Sequence, residues 1–284
     1  MPVRRLVVLT VLALLAFAGN SLLCRAALAH SNIDAASFTT IRLLSGAITL
    51  WLLLVLQQPS AAARLRPKGD WFSALALFVY AAGFSFAYLQ LNTGMGALIL
   101  FGAVQFSMLA YGLWRGERFT AAQWLGFVLA CGGLVGLLLP GLAAPPLGGA
   151  LLMIAAGVAW GVYSLRGKGA KDPLKVTAGN FLRTIPLTLV LSLLLVSQFK
   201  IDNAGVVYAL LSGALTSGVG YAIWYRVLPQ LNATTAATVQ LSVPLVAALA
   251  GILLLHEPLT LRLLLAALAI LGGIALVVLK PNRN

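Results

Sequence analysis

Ten apolar runs, near residues 6–24, 35–56, 71–91, 95–114, 121–139, 147–165, 176–197, 205–225, 233–254 and 260–279, leave this chain one solvent in which to fold. Each approaches the roughly 20 residues an α-helix needs to cross the hydrocarbon core of a bilayer. Inside that core every backbone N–H and C=O must be satisfied internally, so runs of this length are read as helices. Ten such helices use about 200 residues and leave roughly 8 for each terminus or connection, too few for a soluble domain. Composition agrees, since 61% of the 284 residues are hydrophobic and the charged ones are only 19 basic and 6 acidic. Soluble domains carry roughly a quarter of their residues as charges.

Arg4 and Arg5 before an apolar run that contains Ala16-Phe17-Ala18 also fit a cleavable signal peptide. Nine further apolar segments favour an uncleaved first span anchored in the cytoplasm. Cys24 and Cys131 lie in separate apolar segments more than a hundred residues apart. They support neither a disulfide framework nor a CxxC metal site, and are read as packing residues. With the N-terminus inside, 14 of the 19 basic residues collect in cytoplasmic loops, Arg64, Lys68, Arg115, Arg166 and Lys171 among them. Arg25, Lys200 and Arg262 fall outside, and Arg42 and Arg183 lie within spans. The positive-inside rule therefore places both termini in the cytoplasm, as an even number of spans requires. These residues face anionic lipid head groups, the expected partners, and do not form the aromatic-interleaved patch that binds nucleic acid.

The sequence also repeats itself at an offset of 140 residues: Gln90-Leu91-Asn92 returns as Gln230-Leu231-Asn232, Ala97 as Ala237, Glu117 as Glu257, Thr120 as Thr260, and Gly132-Gly133 as Gly272-Gly273. Arg25 and Arg166 correspond at an offset of 141. The chain reads as two units, 1–140 and 141–284, of five spans each. Because five is odd, the second unit enters the membrane from the opposite side, which makes an inverted-topology repeat. Such repeats belong mainly to transporters, whose substrate site lies near the midplane and whose alternating access comes from rocking one half against the other. A duplicated scaffold for a channel or intramembrane enzyme is the alternative.

Three stretches carry a family resemblance: Pro244 through His256-Glu257 to Thr260, its weaker partner Arg115-Gly116-Glu117-Arg118-Phe119-Thr120, and Phe38-Thr39-Thr40-Ile41-Arg42. With them the whole chain resembles the drug/metabolite transporter superfamily, EamA type, and within it the amino-acid exporters. The resemblance implies an all-α membrane protein, a ten-helix exporter of the bacterial inner membrane. It also implies that the first, third, fourth, sixth, eighth and ninth helices surround a central cavity, with the fifth and tenth packed behind. Val104 stands where the second half has Pro244, so a proline-dependent hinge is expected in one half only.

All six acids, Asp34, Asp70, Glu117, Asp172, Asp202 and Glu257, fall at loops or helix ends. Proton- and sodium-coupled carriers usually keep a carboxylate within the membrane, so uncoupled transport is expected here. Glu117 and Glu257 each precede a Thr by three residues and are read as favourable charges at the start of their own helices. Arg42, seven residues into its span, costs on the order of 2.5–3.5 kcal/mol if central. It offers a fork of donors to a substrate carboxylate, or else snorkels toward the outer head groups or bonds backbone carbonyls of a neighbouring helix. Arg183 is read as snorkelling.

Tyr80, Phe84 and Tyr88 recur every four residues and share one helical face. Tyr80 and Phe84, with Trp160, Tyr163, Tyr221 and Trp224, are candidate cavity walls, whereas Tyr88 and Tyr225 suit an interfacial belt. Asn20, Gln105 and Gln240 are amides within apolar spans and so either contact substrate or bond between helices. Glycines at positions 94, 96, 132, 133, 272 and 273 allow close helix approach.

No HExxH zinc motif, phosphate loop or GxSxG elbow is present, and neither a catalytic residue, a metal nor a cofactor is expected. The expected activity is export of small amphipathic metabolites, amino acids foremost, by alternating access and without a coupling ion. Proton coupling through His30 or His256 and a membrane enzyme or sensor are the alternatives. Monomer and homodimer both stay open.

Overall fold

The computed structural model describes residues 1–57, 68–116, 118–141, 144–167, 170–231 and 239–279, and these form ten helices. They are α1 (Val3–His30), α2 (Ala35–Gln57), α3 (Trp71–Tyr88), α4 (Thr93–Trp114), α5 (Ala121–Leu138), α6 (Leu147–Gly167), α7 (Pro173–Leu194), α8 (Asn203–Gln230), α9 (Ser242–Leu255) and α10 (Leu261–Leu279). All but α9 are long and apolar enough to cross a membrane. The ninth span is expected from residue 233; its described part begins at residue 239, three residues before α9 proper, where residues 239 and 240 are helical and Leu241 interrupts them. Residues 233–238 lie outside the described residues, as do Glu117, Arg64 and Ala237.

Local chemistry sets the helix starts. Asp70, Asp172 and Asp202 each accept a hydrogen bond from the backbone N–H three residues on, capping α3, α7 and α8. Thr120 and Gln123 form a reciprocal capping box at α5, and Thr260 accepts from Leu263 N–H at 3.1 Å to start α10. Pro173 occupies the first turn of α7, where its missing N–H has no partner to lose.

α1 packs on α8 and α9, α2 on α7 and the middle of α8, and α3 and α4 on α6. α9 packs on α4, and α5 packs chiefly on α10. Along that pair a Cβ at Gly126 would stand 2.5 Å from the Gly273 carbonyl oxygen, so the two backbones touch as only glycines permit. The middle of α8, Leu211–Val219, is a π-helix. There Gly213 lies against the carbonyl of Arg42 and the Ser45 hydroxyl, leaving no room for a side chain. Apolar residues such as Leu193, Leu194, Leu253 and Leu268 stay exposed on the outer surface, as lipid contact requires.

The connection after α1 is bound to the one before α8. Asp34 N–H donates to the Lys200 carbonyl at 2.9 Å, and its carboxylate accepts from the N–H groups of Ala36, Ser37 and Lys200 at 2.9, 2.9 and 3.0 Å. Partial burial pushes this carboxyl up, but those hydrogen bonds outweigh it and hold the group below the usual aspartate value. A depressed value means that the stabilisation is complete above the ordinary aspartate pKa of about 3.9 and is lost as pH falls through the folded-state value. Thermal unfolding in detergent should therefore show a midpoint that is flat from pH 8 to pH 5 through this group and falls below about pH 4. Asp34→Asn should lower the neutral midpoint and shrink the acid fall; an acid profile identical to the parent would contradict the assignment.

Candidate functional site

The aromatic side chains expected as cavity walls converge on Trp160, which stands half-buried on α6. Its indole stacks on Tyr221 from α8 at 5.2 Å and 30°, and on Tyr163 at 5.5 Å and 28°. Tyr80 from α3 lies 4.8 Å away at 43°, and Phe84 one turn on lies 5.5 Å from Tyr80. Contacts of this kind are each worth about 0.5–1.5 kcal/mol beyond area burial. The rings of three helices thus form one wall.

This wall bounds a cavity completed by Asn20, Phe17 and Ser21 of α1, Leu100 and Phe101 of α4, and Gln240 just before α9. Its volume is only about 20 Å³. A water needs about 10–15 Å³ by that measure, so the cavity is contracted and a metabolite enters only if the helices separate.

Of the candidates, Asn20, Tyr80, Phe84, Trp160, Tyr221 and Gln240 line this cavity. Tyr163 and Trp224 are buried one ring behind it, Trp224 packing edge-on against Phe17 at 5.7 Å. Gln105 is buried one turn beyond Phe101 and does not line it. Pro244 stands in the first turn of α9, one turn past Gln240 and beside the interruption at Leu241. Phe17, Ser21, Leu100 and Phe101 were missed. Phe17, Asn20, Ser21 and Cys24 follow the i, i+3, i+4, i+7 spacing of one face, which carried the signal for the first two.

Arg42 does not snorkel, being only 1% exposed. Its Nη2 donates to the Tyr80 hydroxyl at 3.1 Å, and the guanidinium lies 4.8 Å from the Phe84 ring centre and 5.3 Å from that of Tyr80. Asn20 Nδ2 donates to the same Tyr80 hydroxyl at 3.4 Å, while Asn20 Oδ1 accepts from the Ser212 hydroxyl in the π segment of α8. α1, α2, α3 and α8 meet in this network. Tyr88 is not a belt residue either. It is fully buried, 4.8 Å from Phe84, and donates its hydroxyl to the Thr93 carbonyl at 3.2 Å.

Polar ties join helices at opposite ends of α3, on either side of the level of Tyr80. At one end Glu257 does not serve its own helix α10, which Thr260 caps. Its carboxylate instead accepts from Thr93 N–H at 2.8 and 3.0 Å and from the Thr93 hydroxyl at 3.1 Å, capping α4. Asn92 makes no side-chain cap there, so the four free N–H groups of that terminus draw in the carboxylate. Arg25 Nε lies 3.4 Å from Glu257, and Arg25 Nη1 donates to the Tyr88 carbonyl at 2.8 Å. At the other end Arg166 from α6 donates to Asp70 at 3.0 Å and to the Ser73 hydroxyl at 2.9 Å. The Arg25–Glu257 side chains are 20% and 10% exposed, the Arg166–Asp70 side chains 44% and 46%. Exposed pairs contribute about 0–1 kcal/mol, so the Asp70–Arg166 pair is the weaker tie of the two. His30 ends α1 in an exposed position, and His256 takes the left-handed conformation, φ 54°, that ends α9.

Glu257→Gln should loosen the first tie. Hydrogen bonds to a charged group are worth about 1.5–3 kcal/mol, so opening of that end should rise roughly ten- to a hundredfold. In a Cys131→Ser background the buried thiol of Cys24, next to Arg25, reports it through its rate of modification by a water-soluble maleimide. An unchanged rate would refute the role of Glu257 as a tie.

Comparison with known proteins shows the family and the fold. An uncharacterized protein of Pseudomonas aeruginosa is 60% identical over 98% of this chain and 96% of its own. The uncharacterized transporter YoaV of Bacillus subtilis is 24% identical over 84% of this chain and 85% of its own. An uncharacterized transporter of Archaeoglobus fulgidus is 27% identical over 82% and 84%. A solved crystal structure shares the fold, with a TM-score of 0.69 over 99% of both chains at 18% identity. The model of the EamA-like transporter family matches residues 4–139 and 147–279, which is nearly the entire sequence, and the chain belongs to that family.

Proposed function

We propose that this membrane transporter exports small amphipathic metabolites, neutral and aromatic amino acids foremost, across the bacterial inner membrane. Residues 1–140 and 141–284 act as inverted halves that rock about the central cavity, with both termini in the cytoplasm and the Glu257 end facing out. Uncoupled movement down the electrochemical gradient of the substrate is the mode of transport.

The observation that carries this reading is the ring-lined, contracted cavity between two tied ends. An apolar side chain would displace the inner faces of Trp160, Tyr80, Tyr221 and Phe101, while Asn20 and Gln240 offer amides to its polar end. Each acid among the described residues lies at a helix end, which supports carriage without a bound proton or sodium ion. The exposed Asp70–Arg166 tie supports loading from the cytoplasmic side, and the drier Glu257–Arg25 tie supports a barrier against re-entry. The family supports a small molecule as cargo, and the surface of leucine and valine supports lipid as the surroundings.

Reconstituted into liposomes, the protein should carry labelled phenylalanine or tryptophan at a rate that an imposed proton gradient leaves unchanged. Trp160→Ala, which removes three ring contacts, should lower that rate tenfold or more, with smaller losses for Tyr80→Ala and Gln240→Ala. Undiminished flux in all three variants would sink this cavity as the path.

A further inference from the structure

A buried guanidinium with most of its donors unused is the least satisfied side chain among the described residues. Arg42 carries five N–H donors. Among the described residues the three on Nε and Nη1 have no acceptor, and Nη2 reaches only the phenol oxygen of Tyr80. Buried charges are paired in folded proteins, and removing the partner of a buried ion costs several kcal/mol. Rings at 4.8 and 5.3 Å supply part of the compensation, but no carboxylate among the described residues approaches. Asn20 donates to that same phenol oxygen, so two donors from different helices converge on one neutral oxygen at the cavity wall. An anionic oxygen would suit those donors better, because charge-assisted hydrogen bonds are roughly twice as strong as neutral ones.

We infer that Arg42 and Asn20 form a carboxylate site whose preferred ligand is an organic monocarboxylate with an aromatic or branched apolar body, and that the membrane potential drives its export. The inference rests on the transport reading above and names its substrate class. On binding, the carboxylate takes the place of the Tyr80 hydroxyl between Arg42 and Asn20, and the Tyr80 ring turns aside to admit the body against Trp160. An α-amino group is dispensable, since the described walls offer an ammonium no carboxylate. A primary amine without a carboxylate is excluded by the charge of Arg42.

The energetics of flux follow. Arg42 moves with the protein and returns with it, so one cycle transfers only the charge of the cargo. An amino-acid zwitterion crosses electroneutrally, whereas a monocarboxylate carries one negative charge. An interior-negative potential of 100 mV then holds its outside concentration about 50-fold above the inside one at equilibrium. Export needs no coupling ion, which accounts for spans without a described acid.

The test compares 3-phenylpropionate, phenylalanine and phenethylamine in proteoliposomes with a potassium–valinomycin potential, each corrected for protein-free vesicles. Expected are flux of 3-phenylpropionate that follows the imposed potential, potential-independent flux of phenylalanine, and none of phenethylamine. Arg42→Gln should abolish 3-phenylpropionate flux, and Arg42→Lys, which keeps the charge, should retain part of it. Should Arg42→Gln fail to fold, Asn20→Asp sets a negative charge at the same oxygen and should likewise abolish anion flux. Flux of phenylalanine alone, or 3-phenylpropionate flux indifferent to potential, overturns the inference and leaves the transport reading standing. Flux of none of the three overturns both.

Discussion

A guanidinium enclosed by lipid-solvated helices constrains everything around it, because an arginine at membrane depth costs on the order of 2.5–3.5 kcal/mol even by insertion scales. Here Arg42 is held by what the neighbouring helices bring to it. Gly213 lets α8 press against its carbonyl, and Ser45 donates to that same oxygen at 3.2 Å. Tyr80 and Phe84 turn their faces to its charge, and Asn20 links the Tyr80 hydroxyl to Ser212. The widened π turn of α8 places Ser212 and Gly213 side by side at this junction. π segments in helices frequently mark functional sites. Four helices therefore meet around this one residue and its hydrogen-bond network.

The two ends of the cavity use the same chemistry in different solvents. Glu257 is drawn to the N-terminus of another helix, where it satisfies backbone donors, meets the positive end of the α4 dipole and pairs with Arg25. Such a contact is strong because it is dry. Asp70 caps its own helix α3 and meets Arg166 in water, so the helices there are joined by a pair that screening weakens. Hydrogen bonds from Ser73 and the Arg166 charge outweigh partial burial and hold the Asp70 carboxyl below its usual value. The two ties therefore differ in strength through their exposure and not through the number of their contacts.

Much of the fold was legible in the sequence because lipid imposes length and apolarity. Most helices begin and end within a few residues of the apolar runs; α1 extends further at both ends, from Val3 to His30, α8 runs on to Gln230, and α9 proper starts only at Ser242. The rings at Tyr80, Phe84, Trp160 and Tyr221 could be placed from their spacing and depth. What escaped were properties of partners in space. Glu257 reads as the start of α10 because Thr260 follows it, but which helix N-terminus it caps is decided by how α4 and α9 pack. Tyr88 looks interfacial by its position in α3, yet the start of α4 folds over it. Nor did any local signal place Phe101 opposite Asn20, since the two meet only when α1 and α4 pack together.

The central claim is that the ring-lined cavity is the path and that its two ends open in turn. It is tested most directly by fastening one end. With Cys24 and Cys131 replaced by serine, cysteines in place of Thr93 and Glu257 would be joined by a short bifunctional thiol reagent in reconstituted protein. The account predicts that substrate flux falls to the protein-free level on cross-linking and recovers with a cleavable linker after reduction. A maleimide should still reach a cysteine at Ser21 from the Asp70 end. Full flux through the cross-linked protein would contradict it.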